Sequence, residues 1–274
     1  MTDWPAWMVP AVLVCGLLLT LVVFWLIAFF AGVLGDSVNA FDLDSRWLIA
    51  GTVMQDIVFV LVAVFFARMG TRRVRAWQFG LRPITAGELS TVGSEMIGPI
   101  MYALTGALIV GLVWKAFFHG KETQLEQLTH QGGAVLVFTL ILGCVVAPIC
   151  EEIVFRGFVF TALRNWRGTW PAAIVTALLF GAAHAASATV NALIPLAVMG
   201  FALCLLYRYT GSLYACILAH ALNNSVGIGQ MIGATWQIPL IFLGGLAIIS
   251  LLALAATNLG VVSAERPGGQ PAPS

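Results

Sequence analysis

The sequence predicts an all-α fold: a polytopic membrane helical bundle with about eight transmembrane helices. Three observations carry this. Hydrophobic residues make up 60% of the 274-residue chain and charged residues 9%, where soluble domains carry about 25% charged residues. Mean hydropathy is +0.97. Apolar runs near the about 20 residues needed to cross a bilayer core recur along the whole chain. Thirteen basic and 12 acidic side chains are too few to build a water-facing surface. A soluble enzyme and a disordered chain are thereby excluded. A net charge of +1 gives no general attraction to polyanions, so no nucleic-acid partner is expected.

The runs, in order, are Met8–Leu34, Trp47–Arg68, Val92–Phe118, Gly133–Leu163, Pro171–Ala185, Val190–Tyr207, Leu213–Gly229 and Ile238–Leu259. The fifth is short. The fourth is long and holds Glu151, Glu152 and Arg156. The opening MTDWPAW has no basic residue before the apolar stretch and no small-residue cleavage site, so the first run reads as a retained span rather than a signal peptide. One integral membrane domain is expected over residues 1–262, with its motif core at 133–230. Residues 263–274 read as a disordered cytoplasmic tail, rich in Pro and Gly.

Basic residues set the direction of threading. Arg68, Arg72, Arg73, Arg75, Arg82, Arg164, Arg167, Arg208 and Arg266 fall on one side of the predicted spans, and Arg46, Lys115 and Lys121 on the other, nine against three. Both termini are therefore expected in the cytoplasm. The connection Gly70–Ser90 alternates Trp77, Phe79 and Leu81 with basic residues, a pattern suited to the headgroup layer. Trp7, Trp47, Trp77, Trp170 and Trp236 near span ends fit interfacial anchoring. Cys15, Cys144, Cys150, Cys204 and Cys216 all lie in apolar runs without a CxxC, which reads as packed thiols rather than a disulfide framework.

Ionisable groups inside spans are costly and point to function. Glu151 lies 13 residues before Arg164, about 20 Å deep at the helical rise. His184 lies 14 residues after Trp170, about 21 Å deep. His220 and Asn224 follow Gly211 at depths of about 14 and 20 Å. Acid, imidazole and amide thus reach a similar level on three helices, facing the cytoplasmic side. Glu152 and Arg156 are spaced i,i+4 and can pair, whereas Glu151 sits about 100° round the helix. His220 and Asn224 share one face. Pro148, three residues before Glu151, removes a backbone donor and frees a carbonyl one turn back. Gly157, Gly181 and Gly200 offer close helix approach.

A buried carboxylate beside an imidazole can take a proton from water and make a nucleophile. A second imidazole and a carboxamide can donate to a developing oxyanion. These are the parts for peptide hydrolysis by activated water. There is no GxSxG and no HExxH, so a serine nucleophile and the usual zinc-helix spacing are not indicated. Each residue alone has a structural reading: Glu152–Arg156 as a staple, a histidine as a core donor, Asn224 as helix glue. Asp56 in the second run either lines the site or makes a polar contact within the bundle, and the two readings weigh equally. His119 and His130 flank a charged loop with Lys121, Glu122 and Glu126 that reads as solvent-exposed.

The run Glu151–Arg156 is EExxxR followed by Gly157, Phe180–His184 is FxxxH, and His220–Asn224 is HxxxN. In this order on successive spans the motifs resemble the CAAX-protease and bacteriocin-processing (CPBP) family of intramembrane proteases, which includes the type II CAAX prenyl endopeptidases. The motif region covers about Cys150–Asn224. The resemblance implies an eight-span bundle with a conical cavity open to cytoplasm and lipid. Glu151 and His184 would activate water, His220 and Asn224 would stabilise the oxyanion, and Glu152 and Arg156 would hold the first motif in place. The family carries a metalloprotease label, and Glu151, His184 and His220 are the candidate ligands if a divalent metal such as zinc is bound. The same residues also suit a metal-free, glutamate-dependent site.

The expected activity is an intramembrane endopeptidase in a bacterial plasma membrane. Its partners would be membrane lipids and a protein or peptide substrate, with prenylation at a C-terminal Cys left open. The alternatives are a non-catalytic membrane scaffold or bacteriocin self-immunity protein. A small transporter with Glu151, His184 and Asp56 as a proton relay ranks last, because paired repeats are missing.

Overall fold

The computed structural model describes residues 4–34, 45–70, 74–81, 105–106, 128–129, 133–188 and 190–260. Among them, regular structure is helical throughout. The elements are α1 (Met8–Val33), α2 (Ser45–Gly70), α3 (Gly133–Arg167), α4 (Thr169–Ala183), α5 (Val190–Thr210), α6 (Leu213–Met231) and α7 (Ile238–Asn258), with single 3₁₀ turns at Ala76–Phe79 and Thr235–Gln237. The expected third span Val92–Phe118, with Glu95, lies almost wholly outside the described residues, as do His119, His130, the charged loop between them and the tail 263–274.

Five described helices are long and apolar enough to cross a bilayer: α1, α2, α3, α5 and Thr235–Asn258, which is α7 with its leading turn. The other two expected spans fall short for different reasons. α4 has only 15 residues, about 22 Å of helix against a core of about 30 Å. α6 has 19 residues but carries His220, Asn223, Asn224, Ser225 and Gln230, which lower its hydropathy. These are the two helices that deliver the histidines. A short helix and one with a polar face thus bring the two imidazoles to the carboxylates of α3.

α3 is the central element, and it is not uniformly α-helical. Two π-helical stretches, Leu142–Val146 and Ile153–Phe160, interrupt it on either side of Ala147–Glu152. π-bulges shift the register of the backbone bonds and are frequent at functional sites. In the second stretch the Thr161 hydroxyl donates to the Arg156 carbonyl (3.1 Å), taking up an acceptor the shifted register leaves. α2, α4, α5, α6 and α7 all pack against parts of α3.

Glycines set the closest approaches. A Cβ at Gly181 of α4 would lie 2.8 Å from the Leu193 carbonyl oxygen of α5, and one at Gly200 would lie 3.2 Å from the Phe180 Cβ. A Cβ at Gly157 would lie 3.1 Å from the Phe79 carbonyl. α1 and α2 interlock reciprocally, with Phe59 over Gly16 and Phe24 over Gly51. In the segment 74–81 the three apolar side chains do not share one exposure, Trp77 and Leu81 being half-buried and Phe79 turned into the bundle. Phe79 is buried, 4.9 Å from the Trp4 ring, and its carbonyl accepts from the Tyr207 hydroxyl (3.1 Å). The Gly80 carbonyl accepts from the Leu213 amide (2.8 Å). This turn therefore ties together the ends of α3, α5 and α6.

Candidate active site

The site is built from α3, α4 and α6, with a carbonyl from α5. Glu151 and Glu152 are adjacent on α3, and one step of about 100° separates their directions. Glu152 is fully buried, and its Oε1 accepts from Arg156 Nη1 at 2.7 Å and from His220 Nδ1 at 2.8 Å. Arg156, also fully buried, donates through Nη2 to the Gly200 carbonyl of α5 (3.1 Å) and lies 4.6 Å above the Phe180 ring. The closeness of Gly200 to Phe180 brings that carbonyl within reach. The predicted i,i+4 pairing of Glu152 and Arg156 is present. The contact that the spacing did not reveal is His220 on the same carboxylate oxygen.

Glu151 has a different environment. Its side chain keeps 20% exposure, and its Oε2 is buried without a hydrogen-bond partner among the described residues. His184 Nε2 lies 3.7 Å from that oxygen and His220 Nε2 3.9 Å from it. Both separations exceed a hydrogen bond. His184 stands just past the end of α4, and its Nδ1 lies 2.8 Å from the Phe180 carbonyl. A carbonyl only accepts, so Nδ1 carries the hydrogen and the Nε2 lone pair of neutral His184 is turned toward Glu151. Two acceptors facing one another beyond contact distance suit a water molecule that donates to each.

His220 spans both carboxylates. Nδ1 donates to Glu152, so Nε2 is the atom presented to Glu151 and to the space beside it. Phe180 sets the ring positions: its centroid is 4.9 Å from His184, 5.8 Å from His220 and 5.1 Å from Phe155. This gives the Phe of the FxxxH motif a role that the sequence alone did not assign.

Asn224, one turn beyond His220, donates from Nδ2 to the Gly143 carbonyl of α3 (2.8 Å). The π register explains why that carbonyl is available. Ala147 N–H bonds five residues back to Leu142, so the matching partner of Gly143 would be residue 148. That residue is Pro148, which has no N–H. The freed carbonyl was predictable from Pro148, but its identity was not, because an ordinary α register would have freed Cys144. Gly143 also admits α6 closely: a Cβ there would lie 2.8 Å from Ile228 Cδ1. The second Asn224 amide hydrogen is not engaged by the Gly143 contact.

Glu151, His184 and His220 are a donor set of zinc type. Tetrahedral zinc ligands at about 2.0–2.1 Å lie about 3.3 Å from one another, and the 3.7 and 3.9 Å separations are wider than that. No group of three His, Cys, Asp or Glu side chains forms a metal-holding cluster among the described residues.

Residues 133–226 match the family model described as type II CAAX prenyl endopeptidase, Rce1-like. That stretch runs from the start of α3 into α6 and contains all three motifs. Over 154 residues the chain is 27% identical to a Bacillus subtilis (strain 168) protein named "Putative membrane peptidase YdiL", covering 53% of this chain and 62% of that one. It is 32% identical over 102 residues to an uncharacterized protein of Mycoplasma capricolum, covering 37% and 30% of the two chains. It is 26% identical over 147 residues to an uncharacterized 24.3 kDa protein of Escherichia coli, covering 52% and 66%. In each case the match spans less than two thirds of the curated relative. No solved structure matches the chain. Residues 133–226, which hold the EExxxR, FxxxH and HxxxN motifs, are thus similar to the Rce1-like type II CAAX prenyl endopeptidase family.

Proposed function

We propose that this protein is an intramembrane endopeptidase that hydrolyses peptide bonds with water activated by Glu151 and His184. The observation that carries the reading is the convergence of His184 Nε2 and His220 Nε2 on the unpartnered Oε2 of Glu151, from three separate helices. A water in that space donates one hydrogen to Glu151 and the other to His184. On attack its oxygen bonds to the scissile carbonyl carbon while Glu151 takes the proton. The carbonyl oxygen becomes an oxyanion facing donors from His220 and Asn224. Donation from His220 Nε2 requires the imidazolium, because Nδ1–H is already committed to Glu152, and that carboxylate is the counter-charge. Collapse of the intermediate breaks the C–N bond, and the proton held by Glu151 passes to the leaving nitrogen. Glu152 and Arg156 act through His220 and Phe180 as positioning residues. No step passes through a metal ion.

The site opens toward the cytoplasm in this reading, with both termini on that side and the chain in a bacterial plasma membrane. Arg68, Arg75, Arg164, Arg167 and Arg208 support this. They lie at the ends of α2, α3 and α5 and in the 74–81 segment, which is bonded to Tyr207 and Leu213. The name of the Bacillus relative, a putative membrane peptidase, supports the same activity.

The substrate is a protein or peptide, and the test decides whether a prenyl-cysteine is read. Purified protein in detergent is offered quenched fluorescent peptides with and without a C-terminal prenyl-cysteine. Glu151→Ala and His184→Ala are expected to abolish cleavage while remaining folded, and a chelator is expected to leave cleavage intact. An active Glu151→Ala protein ends the mechanism, and loss of activity on chelation replaces it with metal-assisted hydrolysis. A wild-type protein that cleaves nothing, with its biological phenotype surviving Glu151→Gln, favours a scaffold or immunity role.

A further inference from the structure

α2 carries an acid that the mechanism above does not use. Asp56 is 7% exposed and is the only ionisable residue on the buried stripe of that helix, beside Gly51, Val62, Ala63 and Ala67. It lies 12 residues before Arg68, and Glu151 lies 13 residues before Arg164. Both helices run toward the same basic end, so the two carboxylates sit at nearly one depth, about 18 and 20 Å in. α2 packs directly on the Ala147–Glu152 stretch of α3. The carboxylates of Asp56 and Glu151 lie within electrostatic range of each other, and Cys150 senses both.

The two acids share a second property. Asp56 Oδ2 and Glu151 Oε2 are each buried without a hydrogen-bond partner among the described residues. Glu152 Oε2 is orphaned as well, but Oε1 of Glu152 is held by Arg156 and His220, an anchor that Asp56 and Glu151 lack among the described residues. An orphaned oxygen within a membrane span is costly and persists where it has a use. Carboxylates only accept, so Asp56 and Glu151 cannot satisfy one another directly, whereas one water donates to both. An oxygen of Glu151 has two lone pairs, so a water bridging to α2 leaves the other free for the hydrolytic water.

We propose that Asp56 is a positioning residue of this site, fixing the Glu151 carboxylate through a bridging water from α2. The assignment rests on the hydrolytic reading for its consequence, and on the two orphaned oxygens for its existence. The experiment has two arms. Thermal unfolding is measured in detergent for Asp56→Leu, Glu151→Gln and the double variant. The shifts are expected to be non-additive by more than about 2 °C, as for residues that share a contact. Asp56→Leu alone is expected to unfold no lower than wild type, since it places an apolar group in an apolar span. Peptide cleavage is measured for Asp56→Leu and Asp56→Asn. For Leu, kcat should fall between about tenfold and a hundredfold with KM within about twofold, as for a misplaced reacting group. Asn retains an acceptor for the water and should recover part of the loss. Additive thermal shifts overturn the proposal whether or not the protein cleaves any peptide. Non-additive shifts with a wild-type kcat for Asp56→Leu overturn the positioning role. Non-additive shifts in a protein that cleaves nothing uphold the contact and refute the hydrolytic reading instead.

Discussion

Replacing Arg156 with Met tests the buried network directly. Arg156 and Glu152 both have zero side-chain exposure and meet at 2.7 Å. The substitution leaves the Glu152 carboxylate buried with His220 as its one hydrogen-bonding neighbour among the described residues. It removes a charge-assisted hydrogen bond worth about 1.5–3 kcal/mol and strips the Gly200 carbonyl of a donor at about 1–3 kcal/mol. It also removes a desolvated cation–π contact on Phe180 of about 2 kcal/mol. Met fills much of the space, so the sum is an upper bound, and the expected cost is about 3–5 kcal/mol, the range for breaking a buried pair from one side. The double variant Glu152→Gln/Arg156→Met also removes the unpaired carboxylate and is expected to regain the part of the loss due to that charge, but not the Gly200 and Phe180 contacts. The assay is unfolding of purified protein in detergent, followed by heat or by a denaturing detergent series. Arg156→Met should unfold well below wild type and the double variant between the two, yet the double variant should be inactive because His220 loses its counter-charge. Two results refute the reasoning: a single variant as stable as wild type, or a double variant no more stable than the single.

Glu151→Gln is expected to lower kcat by about 10²–10⁴, the range for a general base, without lowering the unfolding temperature, because it removes charge from an oxygen that has no hydrogen-bond partner among the described residues. Cleavage kinetics and thermal unfolding of the same preparation check both halves. Asn224→Ala strands the Gly143 carbonyl that Pro148 leaves free, at a cost of about 1–3 kcal/mol. If the second amide hydrogen meets the oxyanion, kcat falls by about 10²–10³ with little change in KM. Gly181→Ala places a methyl group 2.8 Å from the Leu193 carbonyl, a backbone atom that cannot rotate away. It should cost about 1–3 kcal/mol as overpacking does and lower kcat as His184 shifts, which a thermal scan and a rate measurement will show.

Features governed by local spacing were legible in the sequence. The Glu152–Arg156 pair follows from i,i+4 geometry, and the meeting of Glu151, His184 and His220 at one level follows from the rise of a helix. The close approaches at Gly157, Gly181 and Gly200 follow from residue size. What the sequence hid depends on register and on distant partners. Nothing in the run LGCVVAPICEE states that α3 switches to π-helical bonding, so the freed carbonyl reads as Cys144 and is Gly143. The bond from His220 to Glu152 joins residues 68 apart, and either carboxylate of the EE pair was an equal candidate. The alternation of Trp77, Phe79 and Leu81 suggests an interfacial surface. A tertiary contact with Trp4, Gly157 and Tyr207 instead buries Phe79.

The adjacency of Glu151 and Glu152 is the feature from which the rest of the site follows. Two chemically similar carboxylates one residue apart must point about 100° apart on a helix, so they meet different neighbours without any change of backbone. Glu152 points into the bundle, where a guanidinium and an imidazole satisfy one oxygen, and it becomes a fixed counter-charge. Glu151 points toward the ends of shorter or more polar helices, where no donor from the described residues reaches Oε2, and it remains available to take a proton. His220 is the joint between these roles, bonded to one acid through Nδ1 and turned toward the other through Nε2. A single acid could not do both, because an oxygen saturated by Arg156 and His220 is a poor base and an unsaturated one cannot hold a ring in place. In the proposed mechanism the paired acids therefore divide positioning from chemistry. In that reading the short α4 and the polar face of α6 serve this division by bringing the two histidines to the carboxylates from separate helices.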